Sequence, residues 1–352
     1  MTIDANHEKL QYSGRIDWSN PKEPVFVYPC TSLRMRFTGS ILKIHVRNKN
    51  AYWENFLGCI IDEKQVSLAL PQNGDVVLTI PVEDINSNLD RKIHDVLFFK
   101  RQDSCHELTI LDLEIGEGEK LIELPKKPER KIEVYGDSVS AGEVSEAVEY
   151  TGKEDPAHNG EYSNSWYSYA WMTARKCKAQ IHDVAQGGIA LMDKTGWFYE
   201  PNAVGMESVF DKIHYNPEFG EPMEWDFSNY IPQVVIIAIG QNDSHPSDYM
   251  REDYDGEQAI IWRKSYKKFL EKIRGLYPDA YMICCTTLLE HDEAWDLSIK
   301  QVVHEMNDKK ITQYVFKRNG RGTPGHLRIS EAEEMAEELA AYIEGLHVKG
   351  WE

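Results

Sequence analysis

Hydrophobic and polar positions follow two different rhythms along this chain. Up to about residue 125 they alternate in short runs, at 33–39, 41–46, 56–61, 65–70, 75–80, 94–100 and 107–115. A period of two sends successive side chains to opposite faces, as in strands that bury one face only. Turn chemistry separates the runs at 38–39, 71–74 and 86–88. Short, regularly spaced strands without a long helical period predict an antiparallel β-sandwich of the jelly-roll kind.

Residues 116–130 turn polar and carry two prolines, and the rhythm changes after them. Strands are predicted at 132–135, 181–185, 234–239, 281–285 and 311–316. The run at 234–239 is apolar throughout, as a strand covered on both faces must be. Helices are predicted at 165–178, 257–277 and 293–309. A last one, opened by a capping box at Ser330-Glu-Ala-Glu333, runs to about residue 346. Strands alternating with helices predict a parallel, doubly wound sheet. The division expected is therefore a sandwich domain over 1–125 and an α/β domain over 126–352.

Charge narrows the function. Of 352 residues, 58 are Asp or Glu and 39 are Lys or Arg, a formal net charge of −19. That balance argues against nucleic acid and anionic lipid as partners, since both need a basic footprint. No apolar run approaches the roughly 18 residues of a membrane span. The first residues lack a basic segment followed by an apolar one, so the expected location is cytoplasmic. The six cysteines form no Cys-x-x-Cys pair, and no Cys/His cluster has zinc-site spacing; reduced, buried thiols are expected.

In an open parallel sheet, ligands sit beyond the carboxyl ends of the strands. After the first strand comes Gly136-Asp137-Ser138, and after the second Gln186-Gly187-Gly188. Gly240-Gln241-Asn242-Asp243 follows the third, and Thr323-Pro324-Gly325-His326 the last. Each alone is ordinary turn chemistry. Together they supply a hydroxyl nucleophile, an imidazole base and donors for an oxyanion, the parts for acyl transfer. Asp137 and Asp243 read as turn carboxylates rather than catalytic groups.

These blocks resemble those of the SGNH (GDSL-like) hydrolase superfamily, over roughly residues 132–346. Its four marker residues would be Ser138 in Tyr-Gly-Asp-Ser-Val-Ser-Ala-Gly, Gly188, Asn242 in Gly-Gln-Asn-Asp, and His326. Gly187 is a rival for Gly188. A sandwich joined by a short linker to such a domain is similar to carbohydrate esterase family 2, whose members deacetylate plant polysaccharides such as xylan and mannan. Tyr12-Ser-Gly-Arg15 and the run from Phe37-Thr-Gly-Ser40 look like that family's N-terminal sandwich.

The resemblance implies a Ser138–His326 esterase with an acetyl-serine intermediate. Its oxyanion would be held by the Ser138 N–H, the Gly188 N–H and the Asn242 amide, with neither metal nor organic cofactor. One departure matters. Many members carry an Asp two or three residues before the histidine, where this chain has Pro324 and Thr323. A Ser–His dyad is therefore expected, with Asp292 or Glu290 as the alternative partners for the ring. The expected ligand is an acetylated oligosaccharide. Trp166, Trp197, Trp225, Trp295 and His245 are candidates to line its cleft, because sugar faces stack on aromatic rings. Competing readings are a thioesterase or lysophospholipase, a glycosidase with paired carboxylates, and a carbohydrate-binding protein with a dead site. The sequence leaves oligomeric state open.

Overall fold

A computed structural model describes residues 1–82 and 93–351. The turn expected at 86–88 lies outside the described residues. Two compact units divide the chain: Met1–Lys127 with Asn159–Glu161, and Pro128–His158 with Tyr162–Glu352.

The first unit is two antiparallel sheets. One runs Ile16–Asp17, Val25–Phe26, His106–Ile115, Leu42–Asn50, Asn73–Ile80, with Thr2–Asp4 also pairing on His106–Ile115. The other runs Gln11–Ser13, Ser32–Thr38, Ile93–Lys100, Phe56–Ile61, Lys64–Ala69. Taken in chain order from Val25–Phe26, the first sheet holds the first, eighth, third and sixth strands. The second sheet holds the second, seventh, fourth and fifth. That double Greek-key order is the jelly roll. Alternation explains the core: Leu42, Ile44 and Val46 from one sheet and Leu33, Met35 and Phe37 from the other are all fully buried in one cluster. The short strands before residue 27 escape the period-two reading because two or three residues carry no period.

In the second unit, five parallel strands lie in the order Gln180–Ala185, Lys131–Gly136, Val234–Ala238, Tyr281–Cys284, Ile311–Gln313. The chain order reverses on either side of Lys131–Gly136, which makes the gap between it and Val234–Ala238 the topological switch point. Val234–Ala238 is buried at every residue, as its unbroken apolar run requires. Helices Tyr169–Lys176 and Ile329–Gly345 pack as one pair, Glu257–Leu276 and Glu293–Met306 as another. The last helix begins one residue before the expected box. Ser330 lies inside it, and Glu331 closes its first turn by accepting the Arg328 N–H at 2.9 Å. All six cysteines are free and buried.

Candidate active site

Parallel register brings the strand ends together. Gly136 lies opposite both Ala185 and Ala238, so the segments carrying Ser138, Gly188 and Asn242 leave one edge of the sheet side by side. Each block of sequence has a local reason. A Cβ on Gly136 would sit 2.0 Å from the Ser140 hydroxyl, so this turn needs glycine. Asp137 caps the turn Ser138–Ala141, accepting the Val139 N–H at 3.0 Å. Burial pushes its carboxyl up to about 6, against the pull of that N–H and of His326. Asp243 ties the loops to each other: it accepts the Leu191 N–H at 2.7 Å, the Met192 N–H at 3.2 Å and the Thr195 hydroxyl at 3.1 Å. Both aspartates hold loops through these bonds.

Ser138 Oγ lies 2.8 Å from His326 Nε2. On the far side of the ring, His326 Nδ1 lies 2.5 Å from Asp155 Oδ2. The carboxylate fixes the tautomer, with Nδ1 donating to Asp155 and Nε2 free to accept from the serine hydroxyl. The expected dyad is thus corrected to a Ser–His–Asp chain, and neither alternative partner supplies the carboxylate. Asp292 caps helix Glu293–Met306 through the Ala294 N–H at 3.0 Å, and the Glu290 N–H donates to the Thr323 carbonyl at 2.9 Å.

Asp155 is itself held. Its Oδ1 accepts the His326 N–H at 2.9 Å and the Arg328 guanidinium at 2.8 Å, and Arg328 is fully buried. Burial disfavours the Asp155 charge, but His326 and Arg328 outweigh it and hold the carboxyl well below its usual range. For His326 burial works against the charged ring. The charge of Glu143, the Asp155 hydrogen bond and the Asp155 charge reverse that and raise it above 6.5. Gly325 makes the close approach possible, because a Cβ there would meet Asp155 Oδ1 and Lys153 O at 2.6 Å.

Three donors stand ready at the same edge. The N–H groups of Ser138 and Gly188 donate to no protein acceptor among the described residues. Asn242 spends one amide hydrogen on the Ile189 carbonyl at 3.0 Å, which orients the other. Gly188 adopts φ 71°, and its carbonyl accepts the N–H of Trp197 at 2.8 Å. Gly187 accepts the Gln186 side-chain amide through its carbonyl at 3.1 Å.

The aromatic candidates divide. Trp295 is 1% exposed, packs on Trp262 and Tyr249, and donates its indole N–H to Asp248 at 3.0 Å. Stacking needs an open ring face, so Trp295 is core and leaves the set. Trp166 is engaged by the Arg175 guanidinium 3.7 Å over its ring and by Trp171 at its edge, which makes it packing for the adjoining helix. Trp225 meets the His182 ring in a T-shaped contact at 5.8 Å. Trp197 differs: it is 56% exposed, and one face lies on His245 at 3.3 Å between centroids. His245 in turn bonds Glu200 at 2.8 Å. Among the described residues, no helix is long and apolar enough to cross a membrane.

A 2-1-3-4-5 sheet with these residues at its carboxyl edge defines the class: a hydrolase of the SGNH type. Comparison with known proteins gives the family. Residues 12–125 match the carbohydrate esterase 2 N-terminal family model. A cellulase/esterase, CelE, of Acetivibrio thermocellus is 29% identical over all of this chain and 41% of its own length. The acetylxylan esterase / glucomannan deacetylase of Cellvibrio japonicus is 27% identical over 80% of this chain and 72% of its own. A family two carbohydrate esterase from Clostridium thermocellum, solved in complex with cellohexaose, superposes with a TM-score of 0.76 at 26% identity. The match covers 97% of this chain and 100% of that one. The chain is similar over its whole length to carbohydrate esterase family 2 proteins, and its N-terminal unit matches that family's model. It spans less than half the length of the first of these relatives.

Proposed function

We propose that this protein is a carbohydrate O-acetyl esterase acting on acetylated plant oligosaccharides of mannan or xylan type. The observation that carries the reading is Ser138 Oγ at 2.8 Å from His326 Nε2, with Asp155 behind the ring. A free serine hydroxyl is a poor nucleophile at neutral pH. Here His326 Nε2 takes its proton as Oγ bonds to the acetyl carbonyl carbon, and the C=O π pair moves onto oxygen. Asp155 stabilises the imidazolium that forms.

The oxyanion is received by the Ser138 N–H, the Gly188 N–H and the second Asn242 amide hydrogen. One such donor typically contributes about 3 kcal/mol to the transition state. As the tetrahedral adduct collapses, the sugar oxygen leaves with the proton from His326, and acetyl-Ser138 remains. Water then attacks the ester, giving its proton to the same nitrogen. Acetate departs, and Ser138 recovers its hydrogen. The exposed face of Trp197, on the segment anchored to Gly188, is the platform we assign to a sugar ring.

The test is acetate release from 4-nitrophenyl acetate and from acetylated mannan and xylan oligosaccharides, with Ser138→Ala beside the wild type. We expect the wild type to act on all three, and the variant to lose roughly a thousandfold or more. The preferred oligosaccharide decides between mannan and xylan. Full activity in the variant, or preference for octanoyl over acetyl esters, overturns the reading.

A further inference from the structure

A second histidine near this edge is held more tightly than packing alone requires. His291 follows the strand Tyr281–Cys284, and its side chain is 5% exposed. Its Nδ1 lies 2.7 Å from the Leu289 carbonyl oxygen, and its Nε2 lies 3.1 Å from Asp296 Oδ2. Two amide nitrogens lie farther off, Gln241 Nε2 at 3.1 Å from Nδ1 and Asn319 Nδ2 at 3.3 Å from Nε2. The nearest partner of each ring nitrogen, a carbonyl and a carboxylate, can only accept, and a ring that donates to both through two N–H groups is an imidazolium. Asp296 also accepts the Thr286 hydroxyl at 2.6 Å and the Asn319 amide at 2.9 Å.

The ring also stands between the two site loops. Gln241, the neighbour of Asn242, donates its amide to the same Leu289 carbonyl at 3.4 Å and accepts the Thr287 hydroxyl at 2.7 Å. In the other direction Leu289 bridges to Thr323, three residues before His326. A Cβ on Gly320 would lie 3.0 Å from His291 Cε1, so that loop closes onto the ring as well.

We propose that His291 is a positioning residue, a buried imidazolium that joins the loop presenting Asn242 to the loop presenting His326. The groups around it favour the charge. Asp296 faces it from helix Glu293–Met306, Asp292 from that helix's N-cap, and Asp137 from the Ser138 turn. Glu293, Lys317 and Arg321 share with it the wall of a cavity of about 580 Å³. Burial opposes the charge, the Asp296 hydrogen bond and charge outweigh it, and the ring titrates above 6.5. The clamp therefore persists to higher pH than an ordinary histidine would allow, and is lost as pH rises through the raised His291 value. The kinetic consequence rests on the esterase reading: kcat falls on the alkaline side, whereas the His326 titration governs the acid side.

Two measurements test this. In ¹⁵N NMR of the full chain at pH 7.5, the His291 ring should show both nitrogens protonated. With 4-nitrophenyl acetate, His291→Gln should lower kcat about 10-fold or more, change KM less than about twofold, and abolish the alkaline fall. Asp296→Asn should move that fall to lower pH. A neutral ring at pH 7.5, or a His291→Gln enzyme with the wild-type kcat and alkaline limb, overturns the proposal. The NMR result stands even if His291→Gln does not fold or if Ser138→Ala keeps its activity, so failure here is distinguishable from failure of the esterase reading.

Discussion

Two histidine–carboxylate pairs, one in each unit, have almost the same contact and very different surroundings. In the jelly roll, His94 Nδ1 lies 2.6 Å from Asp62 Oδ2, with the side chains 6% and 4% exposed. In the hydrolase unit, His326 Nδ1 lies 2.5 Å from Asp155 Oδ2, with 22% and 27% exposed. The His94 ring packs on Phe37 at 5.4 Å between centroids, whereas the His326 ring offers Nε2 to a serine. Asp62 accepts the Asp95 N–H and ties the turn after Phe56–Ile61 to the neighbouring strand Ile93–Lys100; Asp155 accepts Arg328 and the backbone of His326 itself. A histidine–aspartate contact is therefore no signature of catalysis. The pair becomes a catalytic relay where the second ring nitrogen meets a nucleophile and solvent can reach it.

The sharpest way to break the comparison is Asp155→Asn. The amide keeps the shape but turns a donor toward the ring or removes its charge, so the base takes the wrong tautomer. We expect kcat with 4-nitrophenyl acetate to fall by about 10²–10⁴-fold. The sign of the pH effect follows from the same contact. Asp155 helps hold the His326 value up, and the neutral ring is the working base, so wild-type activity rises with pH through that raised value. Without the charge, the residual activity should reach its plateau at lower pH. A near wild-type kcat, with the acid limb unmoved, would restore the Ser–His dyad.

The matching change in the other unit should do the reverse. Asp62→Asn removes a charge-assisted bond from a buried ring and leaves two donors competing for one oxygen. The cost should be about 1–3 kcal/mol of stability, read as a lower denaturation midpoint. Per folded molecule, kcat/KM for 4-nitrophenyl acetate should not change. A loss of activity at full folding would show that the two pairs are not separable in this way.

How far the sequence foretells all this depends on range. Strands with a period of two, the unbroken apolar run at Val234–Ala238 and the four strand-end blocks are local signals, and local signals survive folding. Asp155 was missed because it lies 171 positions from His326 along the chain, in a loop whose Glu-Asp-Pro looks like surface chemistry. Two faint marks pointed to it. Gly325 leaves room beside the histidine, and Arg328 is a charge that a buried site must pair. Trp295 was misplaced although its helix announced it: Trp295, Ser298, Ile299 and Val302 recur at the spacing of one buried helical face. Reading that tryptophan as a sugar contact let composition override periodicity. His291 could not be told from the other eleven histidines: its acceptors Leu289 and Asp296 are near neighbours in the chain, but the segments of Gln241 and Gly320 that close on the ring are distant ones.

A further histidine–carboxylate pair supplies the smallest effect and the finest test. His245 Nε2 lies 2.8 Å from Glu200 Oε1, near the surface, and the ring carries Trp197 on its face at 3.3 Å. Neither a nucleophile nor a buried strand pairing is involved; the pair supports an aromatic platform. An exposed pair of this kind contributes at most about 1 kcal/mol. An aromatic face contributes about 0.5–1.5 kcal/mol beyond its area. Trp197→Ala should therefore raise KM for acetylated oligosaccharides by about 3- to 10-fold. Kinetics with 4-nitrophenyl acetate, which has no sugar to stack, should stay as in the wild type. Glu200→Gln should show the same pattern with a smaller rise, because it loosens the support and keeps the platform. If both substrates suffer equally from Trp197→Ala, the indole is holding Gly188 in place, and its part in catalysis runs through the oxyanion loop instead of the sugar.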